Sequence, residues 1–347
     1  MLGVEPKISV LITFYNQKNY TNRVVESVLS QSYKNLEVIL SDDGSDDGIE
    51  QEVTPFLSDP RIRFRKNDHN LGRVAHFKWL VHHEASGDLV TLVNADDFFI
   101  DPDFFSKAVE LFNQEESVDL VFGRVGVFLE KNKTTKFDKA RLNRTGVYDG
   151  NDVFFMLPDG LAIPHISSIY KRKRAVDLDF YRLNQMSQDW ESLYRMVINS
   201  KVGYVADAVA LYGKHFRNVS KLPGVARMLE SIGYIENPYE LAKQHSIAPK
   251  AELDLWKERM LVRYFTKCHI KLSMLQQEEL STFYHQLEIQ YPDIHQKLKV
   301  DYKLKTFEIL KHTPKILVWC FRIFVGHSSL IEDLIQTKKV NGSLVRE

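Results

Sequence analysis

The chain has 347 residues, 44% hydrophobic and 27% charged, the composition of an ordinary soluble globular protein with room for one large domain and an appendage. Lysine plus arginine equals aspartate plus glutamate at 46 each, so no global field draws the protein to nucleic acid, and any charged site is local. The two cysteines, Cys268 and Cys320, lie far apart, which excludes a disulfide framework and a zinc-ligand spacing and suggests the reducing cytoplasm.

The opening apolar run, Ile8 to Tyr15, is about one strand long. No small-residue cleavage site follows it, so a secretory signal is not expected. No stretch reaches the roughly 20 apolar residues that span a bilayer, and there is no internal repeat. "ISVLITFY" reads as a buried strand, and "NYTNRVVESVLSQSY" as a helix with Val24, Val25, Val28 and Leu29 on one face. "LEVILS" and "IRFRK" predict two further strands. "RVAHFKWLVHHEA" predicts a helix closed by Ser86-Gly87. "DLVTLV" is a strand, "DPDFFSKAVELFNQ" a helix with Pro102 near its start, and "VDLVFGRVGVFL" another strand. From about 131 to 180 the pattern breaks, and "KNKTTKFDKARLNRTG" reads as a loop. The helix "QDWESLYRMVINS" and a late strand pair in "KVGYVADAVALYGKH" follow. This alternation predicts an α/β fold with a largely parallel sheet between helices. Beyond Pro223 periodic helices dominate, which divides the chain into residues 1–222 and a helical region 223–347.

Open α/β sheets bind ligands outside the carboxyl ends of their strands. The first strand ends in Thr13, Tyr15 and Asn16, the second in "SDDGSDDG", and the strand through Leu89–Val93 in "NADD", with Asp96 and Asp97 adjacent. Such a rim suits a ligand that needs ring stacking, hydrogen bonds and a hard cation, for example a nucleoside diphosphate with its metal. Neither G-x-G-x-x-G nor G-x-x-x-x-G-K-[ST] is present to cradle phosphates, so the charge is met by other means. Mg²⁺ or Mn²⁺ held by one or two carboxylates does this, and Asp96 and Asp97 suit the role. Taken singly, "NADD" and "SDDGSDDG" also read as polar turns leading into helices.

The stretches "KISVLITFYNQKNYTNRVVESVLSQSYKNLEVILSDDGSDDG" and "HNLGRVAHFKWLVHHEASGDLVTLVNADD" together resemble family 2 glycosyltransferases of the GT-A fold, over roughly residues 6–220. These are inverting, nucleotide-sugar-dependent enzymes, many of which build bacterial surface polysaccharides. The resemblance implies that Thr13, Tyr15 and Asp43 hold the base, Tyr15 by stacking and Asp43 by accepting from the ring N–H. It implies that Asp96 and Asp97 share ribose and metal contacts, with Asn94 where many members carry a first aspartate. It also makes Asp189 the catalytic base, in "SQDWESLYRM", with Gln188 where relatives often have glutamate. Inverting transfer needs one such carboxylate, to deprotonate the acceptor hydroxyl as it attacks the anomeric carbon. The alternative for Asp189 is a helix cap. "LYGKHFRNVS" matches a Tyr-Arg-x-His-x-x-Asn-x-Ser pattern at Tyr212, His215, Asn218 and Ser220, with Gly213 at the arginine position. His215 is thereby a metal or phosphate ligand, and Lys214 or Arg217 a replacement charge. His165, in "IPHISSIYKR", and Trp190 are candidate acceptor-side contacts.

Residues 303–335 combine an apolar, aromatic run with Lys303, Lys305, Lys311 and Lys315, as an interfacial helix does, and would suit a lipid-linked acceptor at the membrane's inner face. A helix packed on protein is the alternative. The expected activity is transfer of a sugar, UDP-linked, to a growing glycan. A sugar-phosphate nucleotidyltransferase would need a Gly- and Arg-rich loop after the first strand, which "TFYNQKNYT" lacks. A catalytically silent glycan-binding or scaffold protein is the rival that Asn94, Gln188 and Gly213 keep open.

Overall fold

The computed structural model describes residues 5–137, 140–185, 187–215, 224–301, 304, 305 and 307. Its strands are β1 (Ile8–Phe14), β2 (Leu36–Asp42), β3 (Ile62–Lys66), β4 (Leu89–Asn94), β5 (Phe98–Phe99), β6 (Val118–Leu129), β7 (Thr134–Phe137), β8 (Gly146–Asp149), β9 (Ser168–Lys171) and β10 (Lys201–Lys214). They form one sheet in the order β3-β2-β1-β4-β9-β6-β10-β5, with β7 on β6 and β8 on β10. β1 pairs in parallel with β2 and β4, β2 with β3, and β6 with β10. β9 runs antiparallel between β4 and β6, so β1, β2, β3, β4, β6 and β10 all point the same way.

The helices are α1 (Thr21–Leu29), α2 (Ile49–Val53), α3 (Arg73–Trp79), α4 (Phe104–Gln114), α5 (Gly150–Met156), α6 (Arg172–Asp177), α7 (Gln188–Met196), α8 (Val225–Glu230), α9 (Gly233–Gln244), α10 (Lys250–Leu275), α11 (Leu280–Gln290) and α12 (Pro292–Val300). Every residue of β1 is buried, as expected of a strand with both faces covered. Its Ile8, Val10 and Ile12 join Val24, Val25 and Val28 of α1 and Phe104 and Phe105 of α4 in one core, while the alternate residue Leu11 is equally buried on the other face.

The sequence reading does not include β5, β8, β9, α5 or α6, and two of its own expectations change as well. The expected late strand pair is one strand, β10, whose register against β6 shifts at Val205/Ala208 and Ala208/Ala210. Those bulges mimic a turn in the sequence. The expected loop after Lys131 contains β7, which is wholly exposed and so carries no alternation of apolar residues to announce it.

The chain divides into two compact units, Met1–Val219 with Ser231–Trp256, and Ser220–Glu230 with Lys257–Glu347. In the first, α9 packs on α7, and Trp256 stacks on Phe154 at 4.1 Å while its Nε1 donates to the Phe154 oxygen at 2.8 Å. The second buries Phe265, Leu272, Phe283 and Leu287, and the Tyr264 hydroxyl donates to the Met228 oxygen at 2.6 Å. Among the described residues no helix is long and apolar enough to cross a membrane. Of 303–335 only Leu304, Lys305 and Phe307 are described, so the interfacial-helix expectation lies outside the described residues.

Beneath β2, His76 of α3 is 1% exposed and lies 2.6 Å from Ser41 Oγ. Burial pushes its imidazole down to about 4 from the ordinary 6.5, against the opposing pull of Asp43. The unfolded chain therefore takes a proton there first, and stability is lost as pH falls from about 6.5 towards 4. Replacing His76→Gln removes this linkage. Between pH 7 and pH 5 the variant should lose about 2 kcal/mol less stability to acid than the parent, measured by urea unfolding. Equal acid sensitivity of the two proteins would refute the assignment.

Candidate active site

The parallel register sets the site. Thr13 of β1 stands level with Ser41 of β2 and Asn94 of β4, and Phe14 stands level with Asp42, itself level with Lys66 of β3. The polar residues that follow these positions are thus delivered to one rim. The main chain continues the pairing past the strands, with Asp43 N–H donating to the Phe14 oxygen at 2.9 Å and Ala95 N–H to the Thr13 oxygen at 3.1 Å.

On the β2 side, Asp43 is buried and its carboxylate is clamped by the loop after β3. Asn67 Nδ2 and the Leu71 N–H donate to Oδ1 at 2.8 and 3.0 Å, and the Gly72 N–H donates to Oδ2 at 3.1 Å. Gly44 permits the approach: its φ is +77°, and a Cβ there would lie 2.7 Å from the His69 carbonyl carbon. Asp42, wholly buried, takes the Ser45 N–H and hydroxyl, and burial raises its pKa. The loop after β1 is stitched to the same turn. Asn16 N–H donates to Ser45 Oγ at 2.8 Å, and Lys18 N–H donates to Asp47 at 2.9 Å. Between these ties Tyr15 stands 50% exposed, its ring available at the rim, while Thr13 is buried beside it.

At the end of β4, Asp96 and Asp97 are both nearly dry. Gly213 N–H donates to Asp97 Oδ1 at 3.0 Å, and the Asn94 amide is 3.5 Å from Oδ2. Burial, and then the neighbouring Asp96 charge, drives the Asp97 pKa well above the usual carboxylate range. Burial raises that of Asp96 too, and His215 pulls the other way. His215 Nε2 lies 3.2 Å from Asp96 Oδ2, and its ring stacks on Tyr20 at 5.1 Å. Two adjacent carboxylates and an imidazole are donor types that fit Mg²⁺ or Mn²⁺, the more so as a cation would relieve their mutual repulsion. Among the described residues no group of three or more His, Cys, Asp or Glu side chains is placed to hold a metal ion by itself. A cation at this pair would need further oxygens from a bound ligand, as Mg²⁺ commonly takes them from phosphates.

Asp189 sits in the first turn of α7, where the helix dipole favours an anion. The position before the helix is Ser187, not Asp189, and among the described residues nothing donates a hydrogen bond to the Asp189 carboxylate. The loop that clamps Asp43 runs into Arg73, whose Nη2 donates to Gln188 Oε1 at 3.3 Å, so the start of α7 adjoins the Asp43 side of the rim. His165 lies 2.8 Å from the Tyr181 hydroxyl and stacks on Phe77 at 5.7 Å. Burial lowers its pKa, and the Asp189 charge opposes the shift, so the two are electrostatic neighbours. Trp190 is 36% exposed, set edge-on against Tyr234 at 5.4 Å. Glu191, by contrast, is a structural anion. It is 1% exposed and takes Arg182, Arg195 and Asn237 at 3.0, 2.7 and 3.1 Å.

Lys214 is exposed at the end of β10, and its oxygen accepts the Glu130 N–H at 3.0 Å. Arg217, Asn218 and Ser220 lie outside the described residues. Sequence reasoning missed Asn67, His76, Arg73 and Arg23, whose roles arise only from long-range contacts. The one available signal was "HNLG", whose last two residues supply the N–H groups that clamp Asp43.

A curated relative, the GalNAc(5)-diNAcBac-PP-undecaprenol beta-1,3-glucosyltransferase of Campylobacter jejuni, is 25% identical over 236 residues, 67% of this chain and 72% of that one. Other curated bacterial glycosyltransferases are matched over little more than a third of their length, 38% for GlyG of Streptococcus pneumoniae and 34% for EpsE of Bacillus subtilis. The crystal structure of S. aureus TarS in complex with UDP-GlcNAc is similar with a TM-score of 0.61 at 17% identity, over 81% of this chain and 79% of that one. The mannosyltransferase PcManGT from Pyrobaculum calidifontis, in complex with GDP-Man and Mn²⁺, is similar with a TM-score of 0.51 at 14% identity, over 99% of this chain and 88% of that one. At such identities the likeness is one of fold, and the fold is GT-A. With residues 9–212 matching the profile described as Glycosyl transferase family 2, more than half its length, the chain belongs to that family.

Proposed function

We propose that this protein transfers a sugar from a UDP-linked donor to a hydroxyl of a growing glycan, with inversion at the anomeric carbon. The observation that carries the reading is the level rim of β1, β2 and β4, which brings Thr13, Asp43 and the Asp96–Asp97 pair to one edge. Tyr15 stacks on the base, and Asp43 accepts from its ring N–H while the loop clamp holds the carboxylate in one orientation. Asp96 meets the ribose, and Asp97, Asp96 and His215 would hold Mn²⁺ or Mg²⁺ together with donor oxygens. That ion, when bound, supplies positive charge to the departing diphosphate. Lys214 or Arg217 would supply the positive charge for the phosphates that the family pattern's arginine otherwise brings.

Asp189 takes the proton of the acceptor hydroxyl, whose oxygen then forms its bond to the anomeric carbon on the face opposite the leaving nucleotide. Its support is the unclaimed carboxylate at the start of α7, beside His165 and the exposed Trp190, which would line the acceptor side. The name of the Campylobacter jejuni relative supports a lipid-linked acceptor. We assign the chemistry to residues 1–222, with 303–335 as a peripheral membrane contact on the cytoplasmic side.

Three outcomes test this. Asp189→Asn should retain near-parental UDP affinity and fold while turnover drops about 100-fold or more. Transfer at the parental rate would move the base elsewhere. Asp43→Asn should weaken UDP binding by about 1.5–3 kcal/mol, the size of a hydrogen bond to a charged group, and unchanged affinity in calorimetry would take Asp43 out of the base contact. Chelation with EDTA should abolish transfer and added Mn²⁺ or Mg²⁺ restore it, whereas full activity in EDTA would end the metal assignment.

A further inference from the structure

Helix α1 brings a cation into the acidic corner from a direction that none of the rim motifs includes. Arg23 Nη2 donates to the Asp96 main-chain oxygen at 3.0 Å, and Nη1 pairs with Glu130, just beyond β6, at 2.5 Å. The guanidinium lies over the rings of Phe98, Tyr20 and Phe128, at 4.4, 5.3 and 5.6 Å from their centroids. Tyr20 in turn stacks on His215. Glu130 also takes Lys133 Nζ at 2.8 Å, so its charge is shared between two cations.

Gly213 completes the arrangement. A Cβ at this position would fall 2.0 Å from the Asp96 oxygen and 3.5 Å from Arg23 Nη2. The carbonyl that Arg23 binds is thus the atom that forbids a side chain at 213, where the family pattern described above carries arginine. Strand β10 can run this close to Asp96 only because residue 213 has no side chain, and Gly213 N–H then reaches Asp97 Oδ1. An aromatic enclosure limits the rotamers open to the guanidinium. Its planar fork serves a carbonyl and a carboxylate at once, which an ammonium group does less well.

We propose that Arg23 is a positioning residue of the donor site, fixing the Asp96 main chain against Gly213 and so setting the direction in which Asp96 and Asp97 meet the donor's diphosphate and metal. This rests on the nucleotide-sugar reading given above. A purely structural Arg23 would affect stability alone, whereas a positioning one affects the linkage between metal and nucleotide binding.

Calorimetric titration of the full chain with UDP, with and without Mn²⁺, separates the two. The parent should bind UDP more tightly with Mn²⁺. Arg23→Met keeps the apolar stem within the rings and removes the fork. It should bind UDP without Mn²⁺ much as the parent does, while the enhancement by Mn²⁺ falls by about fivefold or more, the scale of coupling between linked sites. Glu130→Gln leaves the Asp96 contact in place and should keep most of the enhancement. Equal enhancement in Arg23→Met and the parent overturns the proposal. Should Arg23→Met fail to fold, Arg23→Lys carries the test: partial loss supports the proposal, and full parental enhancement shows that the fork is not needed and overturns it. A parent with no Mn²⁺ enhancement at all is a separate outcome, which removes the metal reading of the acidic pair and with it this role for Arg23.

Discussion

Two carboxylates adjacent in sequence are held almost out of water at the end of a central strand, and the remaining architecture answers to that cost. An isolated buried charge is expensive and a pair of like charges more so, so such a pair persists only where donors and counter-charges are fixed in advance. The partners come from three elements: Gly213 N–H and, just beyond it, His215 from β10, the Asn94 amide from the end of β4, and the Arg23 charge, held on the Asp96 main-chain oxygen, from α1. The six strands that share a direction make this possible, because their carboxyl ends gather on one edge. A sheet of alternating direction would scatter the same residues over two edges.

The two sides of the rim are built differently. Around Asp43 the work is done by two main-chain N–H groups, the neutral Asn67 amide and a glycine crossing, which fix a carboxylate without a counter-charge. Around α7 it is done by charge. Glu191 and Arg195 form a buried pair within one helical turn, and the Arg195 guanidinium reaches the oxygens of Leu178 and Asp179, while Glu191 also holds Asn237 of α9. Removing one partner from such a pair costs on the order of 3–5 kcal/mol, because the other charge is left buried alone. That helix is therefore anchored from its buried face, leaving Asp189 and Trp190 on the other.

The central strands were legible because Ile, Val and Leu runs buried on both faces leave an unambiguous trace, and Asp43, Asp96 and Asp97 were legible because they follow those runs directly. The contacts that hold them were not. Arg23 is 73 residues from Asp96 and 107 from Glu130, and nothing in "NYTNR" foretells that the sheet brings these segments together. His76 falls on the face of α3 that sits against Ser41, a neighbour fixed by tertiary packing alone. β7 escaped notice because a strand exposed along its length needs no apolar period, and β10 was split because its bulges resemble a turn in the sequence.

The setting of the indole rings has an optical consequence. Of the three tryptophans among the described residues, Trp256 is buried in a stack with Phe154, out of reach of a soluble quencher, and half-buried Trp79 has one face covered by the Arg65 guanidinium at 3.6 Å. Trp190 has an open face next to Asp189. Its emission is therefore a built-in reporter of whatever settles on that face, and a Trp190→Phe background would show how much of any acrylamide-quenchable signal comes from there.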